Sequence, residues 1–468
     1  MERVQTRQLP VMLMALLMAF ILVITGCSSG GNTKSDNSNG AGNTPANQAT
    51  NGGADNAATG SESVSPADLQ GTIKVWDWDE AFLTKMVPEF NKVYPNVKVE
   101  YTVVNNNDYM QKIQSGIASG SDVPDVILGE MNYRGQLFDL DILDNLEQAP
   151  YNFSKDQLLD YLAPILSNPK GELVGVDQSI TPAGLAYRRD LAKEYLGTDD
   201  PDQVAALFPD WNAFIEKGKE VVSKSGGKVT MFASFDDAYR ILREQTSKAY
   251  VDGNTINLTE RLTKPLGTVF QMRDAGILGK YEAYTPGWNA SFAKGDTLFY
   301  PMAPWGAKWN IAANDPDGEG RWGLIAAPEG SYTYGGTSIS VYKGSKNKEA
   351  AWAYIQFAYM SDEGMEVNYK EFGNMAGTKA FFENHKDWIE AGTEYDKFFA
   401  GQNLNKTFYE KIVPTVKAEP QTKYHSIVQN AYNSLYPLWM KDTSIDLNAA
   451  LDKLKSEVQN MAPDATVN

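Results

Sequence analysis

Residues 73–128 read IKVWDWDEAFLTKMVPEFNKVYPNVKVEYTVVNNNDYMQKIQSGIASGSDVPDVIL, and the periodicity of this stretch decides the fold. Apolar and polar residues alternate at its start and again over 97–103, which predicts two half-buried strands. A Gly-Ser-Asp-Val-Pro turn then leads into Asp-Val-Ile-Leu at 125–128, which predicts a third strand. Helical patterns separate the three strands, and this order predicts an α/β fold with a parallel sheet and right-handed crossovers.

The two helical patterns differ in regularity. The first is formed by apolar residues at helical spacing, namely Phe82, Leu83, Met86, Val87, Phe90 and Tyr94. Pro88 lies inside it, and because proline lacks the amide hydrogen and clashes with the preceding turn, we expect a kink or a restart of the helix there. The second pattern covers 109–118. In open sheets with such crossovers ligands bind beyond the carboxyl ends of the strands, here 76–79 and 129–133.

The N-terminus predicts export and lipid attachment. Arg3 and Arg7 precede an apolar run over 9–24, which is the order of a secretory signal and is too short for an ordinary membrane span. The end of the run, Ile-Thr-Gly-Cys, resembles the lipobox of bacterial lipoproteins. This resemblance implies a signal peptide over 1–26 and a lipid, such as palmitate, on Cys27, the only cysteine of the chain. A plain secreted protein or a signal anchor is the alternative.

A linker is expected to follow the cysteine. Residues 27–70 are mostly Ser, Gly, Asn, Ala and Thr, and no aromatic residue occurs between Cys27 and Trp76. Such a composition cannot bury enough apolar surface to offset the entropy of ordering the chain. We therefore predict a disordered, flexible tether between the lipid anchor and the folded part.

Composition excludes several classes of protein. The formal net charge of −17 argues against binding to nucleic acid or to an anionic lipid surface. A single cysteine leaves no disulfide framework, no thiol chemistry in the folded part and no cysteine–histidine metal site. The only two histidines, His385 and His425, leave little room for a serine–histidine hydrolase. We expect no cofactor and no metal; the segment 314–320 has some calcium-loop spacing, but a plain turn is favoured because the closing glutamate is lacking.

From residue 71 onward the chain resembles the extracellular solute-binding proteins (family 1) of bacterial carbohydrate ABC importers, and within them the maltose-binding-protein-like group. The matching segments occur in the order of the family: 73–76, 90–99, 109–113, 120–126, 174–190, 288–296, 304–309 and 335–352. Departures include Asp177 in place of the usual proline and Arg188-Arg189 in place of Asn-Lys. The resemblance implies a periplasmic-binding-protein-like fold, in which a hinge joins two α/β lobes and the ligand cleft lies between them.

The lobes implied by this resemblance are discontinuous. Residues 71–181 and 338–370 would form the first lobe, and 182–337 and 371–468 the second. The crossings near Thr181 and Gly336 would form the hinge. We expect a lipid-anchored monomer that works on the extracellular face of the cell membrane of a Gram-positive bacterium.

The resemblance also implies a sugar site, and its physics agrees with the residues available. Aromatic rings cover the weakly apolar face of a pyranose, while carboxylates and amides exchange hydrogen bonds with its hydroxyl rim. The candidate ligand-binding residues are Trp76, Asp77, Trp78, Asp79, Glu130, Asn132, Tyr133, Asp177, Gln178, Trp288, Trp305, Trp309, Gly336 and Asn374.

Structural roles compete for several of these candidates. Alternation on a strand would send only one of Trp76 and Trp78 to the ligand. Asp77 and Asp79 precede a helix and would serve equally well as helix caps. Trp288 and Trp309 would serve equally well in a core.

The function predicted is that of a non-enzymatic protein that binds a mono- or oligosaccharide and delivers it to the permease of an ABC importer. Two alternatives stay open. A lipid-anchored extracellular glycoside hydrolase would need two carboxylates flanking the scissile bond, and acidic residues are abundant. A solute-binding protein for a non-sugar ligand would show fewer aromatic residues and a basic residue at the cleft.

Overall fold

A computed structural model describes residues 65–468. The predicted signal peptide, Cys27 and the predicted linker up to residue 64 lie outside the described residues. Residues 65–70 belong to the folded part, because Leu69 is buried in a hydrophobic core and the Asn96 amide donates a hydrogen bond to the carbonyl of Ala67. The linker prediction is therefore wrong for these last six residues.

The described residues form three β-sheets. Their strands are β1 (Gly71–Asp77), β2 (Val97–Val103), β3 (Val126–Glu130), β4 (Val176–Asp177), β5 (Pro182–Arg188), β6 (Thr230–Phe232), β7 (Val251–Asp252), β8 (Thr255–Ile256), β9 (Thr297–Met302), β10 (Trp322–Ile325), β11 (Tyr332–Thr333), β12 (Thr337–Val341) and β13 (Thr466–Val467).

Helices cover the two larger sheets. They are α1 (Glu80–Val93), α2 (Asn106–Ser119), α3 (Arg134–Asp139), α4 (Leu162–Leu166), α5 (Arg189–Leu196), α6 (Pro201–Ala206), α7 (Trp211–Lys224), α8 (Phe235–Glu244), α9 (Leu258–Asp274), α10 (Pro286–Lys294), α11 (Lys348–Met360), α12 (Asp362–Phe372), α13 (Lys379–Asn384), α14 (Lys386–Ala391), α15 (Leu404–Lys406), α16 (Tyr424–Lys441) and α17 (Leu447–Met461). Two further turns, Ala307–Ala312 and Thr407–Ile412, are π-helical. Among residues 65–468 there is no helix with the length and hydropathy needed to span a membrane.

The first lobe is built on a sheet with the strand order β2-β1-β3-β12-β4. Strand β1 is parallel to both β2 and β3, with Val75 opposite Val126, so the predicted parallel sheet is confirmed. Strand β12 returns antiparallel to β3. Helix α1 runs through Pro88 as one helix, so the alternative of a restart is wrong.

The second lobe has its own sheet and cores. The strand order is β10-β5-β9-β6, with β11 paired to β5. Two apolar clusters lie on this lobe, and neither shares a residue with the core of the first lobe. The small third sheet, β13-β8-β7, ties the end of the chain to this lobe.

The chain changes lobe later than the predicted boundary at residue 371. Met375, Phe382 and Ile389 are buried in the core of the first lobe, because the apolar faces of α13 and α14 pack there. Phe398 then lies in a core of the second lobe. The assignment of residues 371–391 to the second lobe is therefore wrong.

Candidate ligand-binding cleft

A cavity of about 530 Å³ lies between the two lobes beside the hinge. This volume is in the range of sites that enclose small organic ligands. Its lining consists of Gln178, Ser179, Thr181, Pro304, Trp305, Ala307, Lys308, Trp309, Gly336, Thr337, Tyr369, Lys370, Glu371, Phe372, Gly373, Asn374, Gly392, Thr393, Glu394, Tyr395, Leu404, Asn405 and Phe408.

Two tryptophans of the second lobe form one wall. Trp305 follows β9 and is only partly exposed, because its indole N–H donates to the carbonyl of Tyr334 at 2.9 Å and its ring lies 5.0 Å from the Tyr334 ring. Trp309 lies in the first π-helical turn and is 63% exposed, with the Lys308 ammonium 4.9 Å from its ring centre. A π-helical turn inserts an extra residue into a helix and is often found at functional sites.

The opposite wall comes from the end of α12. The helix ends at Gly373, which adopts the left-handed conformation, and this turn brings Asn374 to the cavity. The Asn374 amide N–H donates to the side-chain oxygen of Asn368 at 2.9 Å. The Tyr369 hydroxyl donates to the carbonyl of Trp388 at 2.8 Å and accepts from the Asn405 amide. Since Asn405 belongs to the second lobe, this contact joins the lobes inside the cavity.

The structure brings five of the predicted residues to this cavity. These are Gln178, Trp305, Trp309, Gly336 and Asn374. They come from both lobes and from the hinge. Their placement agrees with the predicted cleft.

Trp288 is not at the cavity. It is 1% exposed and packs among Phe292 and Tyr300, and its indole N–H donates to Asp237 at 3.0 Å. The prediction of a ligand contact is wrong for this ring in the arrangement described, and the structural alternative applies.

The end of β1 also lies away from the cavity. Trp76 is buried against the edge of Tyr109, whereas Trp78 is partly exposed. Asp79 caps α1 by accepting the amide N–H of Phe82 at 3.0 Å, so the helix-cap alternative applies to it. Asp77 is fully buried, and its Oδ1 accepts the amide N–H of Asp79 at 3.0 Å. Burial raises the pKa of Asp77 to about 7.

The end of β3 forms a small polar cluster of its own. The Glu130 carboxylate accepts the amide N–H of Asn132 at 2.8 Å, and burial raises the pKa of Glu130. Asn132 is exposed. Tyr133 stacks on Tyr109 with 6.1 Å between the ring centres and donates to the Asn106 side chain at 3.2 Å. None of the three predicted residues lines the cavity in the structure of residues 65–468.

Asp177 is 3% exposed and lies behind the hinge. Asp177 is not part of the cavity lining. Its Oδ1 lies close to Gly336, and Gly336 does line the cavity. Burial raises the pKa of Asp177 to about 8, although the nearby Arg134 guanidinium acts in the opposite direction.

A family model of the bacterial extracellular solute-binding proteins matches residues 77–365 of the chain. The chain belongs to this family. It is 24% identical over 420 residues to the lactose-binding protein of Rhizobium radiobacter, and the match covers 84% of this chain and 95% of that protein.

Solved structures confirm the fold of this solute-binding protein. It is similar to the crystal structure of an extracellular solute-binding protein of family 1, with a TM-score of 0.75, 20% identity and coverage of 84% of this chain and 99% of the other. The sugar-binding protein MalE of the phytopathogen Xanthomonas citri gives a TM-score of 0.68, 18% identity and coverage of 84% and 98%. The predicted periplasmic-binding-protein-like fold with two α/β lobes is therefore confirmed.

The charges that line the cavity of this solute-binding protein are balanced. Lys308 and Lys370 contribute two positive charges, and Glu371 and Glu394 contribute two negative ones. Lys370 also pairs with Glu366, one turn away on α12, at 2.5 Å. A cavity without a net charge favours an uncharged solute over an anion or a cation.

Several residues of this cavity were missed from the sequence. They come from the end of α12 and from the segment that leads into the second π-helical turn. These residues are Tyr369, Phe372, Tyr395, Asn405 and Phe408. No motif marked them, because their positions depend on where the chain crosses from α14 to the second lobe. The number of aromatic residues over 369–408 is the one feature of the sequence that points to this part of the cavity.

The segment 314–320 follows the first π-helical turn and consists mainly of turns. The Asp315 carboxylate is buried and accepts the indole N–H of Trp322 at 2.9 Å and a guanidinium N–H of Arg321 at 2.6 Å. Among residues 65–468 the structure contains no group of three or more histidine, cysteine or acidic side chains arranged to hold a metal ion.

Proposed function

We propose that this solute-binding protein captures an uncharged sugar or oligosaccharide in the cavity between its lobes and delivers it to an ABC importer. The observation that carries the proposal is the lining of the cavity. The lining contains the rings of Trp305 and Trp309 from the second lobe and of Tyr369 and Phe372 from α12, together with the side-chain amides of Gln178, Asn374 and Asn405.

This combination fits the chemistry of a carbohydrate. A pyranose has a weakly apolar face that rings cover, and a hydroxyl rim whose groups both donate and accept hydrogen bonds. An amide side chain also donates and accepts, so three amides match such a rim better than a set of like charges would. The lactose-binding relative and the sugar-binding neighbour support the same class of ligand.

Binding is expected to close the lobes. Each lobe supplies part of the lining, so only the closed form offers both sets of contacts to the ligand. Ligand then shifts the population toward closed molecules, which is how a permease would distinguish loaded from empty protein. No catalytic step is part of the proposal.

The anchor belongs to the same proposal. Lipid on Cys27 would hold the protein at the extracellular face of the membrane, with residues up to 64 as the tether to the folded part. A single chain gives weak and reversible anchoring, so more than one acyl chain is required for stable attachment.

The experiment is a thermal-shift and calorimetric screen of the purified protein against lactose, maltose, cellobiose and maltotriose, with a dicarboxylate and a polyamine as charged controls. At a hundredfold excess over Kd, a bound ligand stabilises the fold by about 2.7 kcal/mol. Shifts produced only by sugars support the proposal, and shifts produced only by a charged control contradict it. Chromatography of the sugar after long incubation tests catalysis, since turnover abolished by Glu371→Gln or Glu394→Gln would favour the hydrolase.

A further inference from the structure

The cavity differs in character between the hinge and its mouth. Beside the hinge its lining is uncharged and poorly exposed, since Gln178 is half-buried and both Thr181 and Thr337 are buried. Four further lining residues carry a charge, and all four are exposed to solvent, namely Lys308, Lys370, Glu371 and Glu394. The cavity therefore has an uncharged inner part at the hinge and a charged outer part at its mouth.

The two tryptophans of the second lobe divide between these parts. The amide N–H of Trp309 donates to the carbonyl of Trp305 at 3.1 Å, so the two residues are one helical turn apart and on the same face. The indole of Trp305 is bound to the hinge through the carbonyl of Tyr334, whereas Trp309 is exposed beside Lys308. One helical turn advances the chain by about 5–6 Å, which is close to the length of one pyranose unit in an oligosaccharide.

Trp309 has the largest exposed fraction, 63%, among the exposed large apolar side chains of residues 65–468. Leaving so much of an indole in water is unfavourable. The ring lines a concave site and has polar groups around it, which is the composition of sites that bind small molecules. The Lys308 ammonium, 4.9 Å from the ring centre, places hydrogen-bond donors beside it. The ring is therefore available as a platform for a ligand group at the mouth of the cavity.

The volume of the cavity exceeds what one sugar unit needs. At the packing density of protein interiors, ~0.74, a hexose with a molecular volume of roughly 150 Å³ occupies about 200 Å³. The cavity of about 530 Å³ therefore has room for two such units. A single hexose in the inner part would leave the outer part, including the Trp309 ring, in contact with solvent.

We infer that the cavity holds an oligosaccharide of at least two units, with one unit against Trp305 at the hinge and the next unit stacked on Trp309 at the mouth. This inference rests on the proposed function and adds to it the chain length of the ligand and the residue that selects that length. The Lys308 ammonium donates hydrogen bonds to hydroxyl groups of the outer unit. Trp309 discriminates between an oligosaccharide and a monosaccharide, because only the longer ligand extends from the inner part to the Trp309 ring.

The test compares wild type with Trp309→Ala and with Trp309→Phe, which keeps an aromatic ring. The probes are whichever of lactose, maltose, cellobiose and maltotriose binds wild type most tightly, and the monosaccharides glucose and galactose. Titration calorimetry gives Kd, and a thermal melt without sugar gives Tm. Leu438→Ala is the control, since Leu438 is an exposed apolar side chain on α16 of the same lobe and is not part of the cavity lining.

Wild type is expected to bind the chosen oligosaccharide at least tenfold more tightly than either monosaccharide. Trp309→Ala should raise the Kd of the oligosaccharide about tenfold, because the outer unit loses its stacking surface. The same variant should keep the wild-type Tm and should keep any measurable monosaccharide Kd within twofold of wild type. Trp309→Phe should recover part of the lost affinity, and the control should keep the wild-type Kd.

A monosaccharide that binds wild type within tenfold of the oligosaccharide overturns the inference and leaves the proposed function standing. An oligosaccharide Kd of Trp309→Ala within twofold of wild type also overturns the inference, and it is the result expected if the ring contacts the permease instead of the ligand. Equal losses of affinity for the monosaccharide and the oligosaccharide overturn it as well, since they describe a site for one unit. Wild type that binds none of these sugars overturns the proposed function and the inference together.

Discussion

Truncation of Trp305 separates the binding role of an aromatic ring from its packing role. Trp305 is partly exposed at the cavity, whereas Trp352 is 5% exposed in the core of the first lobe, between Tyr151 and Phe153 at 5.6 Å each. Both residues are tryptophans, so substitution by alanine removes the same atoms from two different environments. Trp352→Ala is therefore the matched control for Trp305→Ala.

The magnitudes follow from these environments. An indole has about 200 Å² of surface, and a partly exposed one offers at most ~70 Å² to a ligand, which covers a similar area of its own surface in the contact. At about 25 cal/mol/Å² the contact is worth about 1.8 kcal/mol if only the ring is counted and about 3.5 kcal/mol if both surfaces are counted, or a roughly 20- to 400-fold change in Kd. Trp305→Ala should also lower the free energy of unfolding, by about 1 kcal/mol through loss of the hydrogen bond to the Tyr334 carbonyl, and further through loss of the packing of the ring against the core of the second lobe. Trp352→Ala should lower the free energy of unfolding by about 3–5 kcal/mol and leave Kd unchanged.

Titration calorimetry with the best-binding sugar gives Kd for each variant, and urea denaturation without sugar gives the free energy of unfolding. Trp305→Ala that binds like wild type but unfolds early would show that Trp305 is a core residue and that the cleft has been misplaced. Equal losses of stability in the two variants, with equal Kd values, would refute the distinction between them.

Three further changes have defined outcomes. Asp77→Asn should flatten the pH dependence of stability. The folded pKa of about 7 lies above the ordinary carboxyl value of 3.8, so the free energy of unfolding of wild type falls as the pH rises from about 4 to 7, by up to about 4 kcal/mol. Urea denaturation at pH 5 and pH 8 measures the slope. Gly135→Ala should disturb the contact of α3 with the second lobe, because the added Cβ would lie 2.1 Å from the carbonyl oxygen of Thr422; small-angle scattering should show a changed radius of gyration without sugar, and an unchanged radius would contradict this. Cys27→Ser should release the protein into the medium or leave it unprocessed, and fractionation that finds the variant lipid-labelled and membrane-bound would refute the lipoprotein proposal.

The sequence was sufficient for the first sheet because strand periodicity is local. The alternating segment 97–103 has the same bounds as β2, although its apolar residues Tyr101 and Val103 are exposed, and the parallel pairing of β1 with β2 and β3 follows from the helices between them. The change of lobe after α14 was not predictable in the same way. Helices α13 and α14 each have an apolar face. Which lobe buries this face depends on the tertiary packing, and in the structure it is the core of the first lobe.

The sequence also fails to place single residues of the candidate site. Trp305 and Trp288 are both large aromatic residues close to matching family segments, and the sequence cannot tell which ring is enclosed. In the structure Asp237 accepts the Trp288 indole N–H inside the second lobe, while the Trp305 indole reaches a carbonyl at the hinge. The acceptor of the indole N–H distinguishes the core tryptophan from the cavity tryptophan, and only the tertiary structure supplies that acceptor.

Buried carboxyls in the first lobe connect stability to pH. Asp77 and Asp177 end strands β1 and β4 of one sheet, and burial raises the pKa of both. Two backbone N–H groups offset part of the burial of Asp77, whereas for Asp177 the charge of the nearby Arg134 guanidinium acts in that direction. One carboxylate oxygen of each residue, Oδ2, is buried and has no donor within residues 65–468. A buried carboxyl without its full set of donors lowers the stability of the folded protein once it is ionised, so both residues should make the fold less stable as the pH rises toward their folded pKa values.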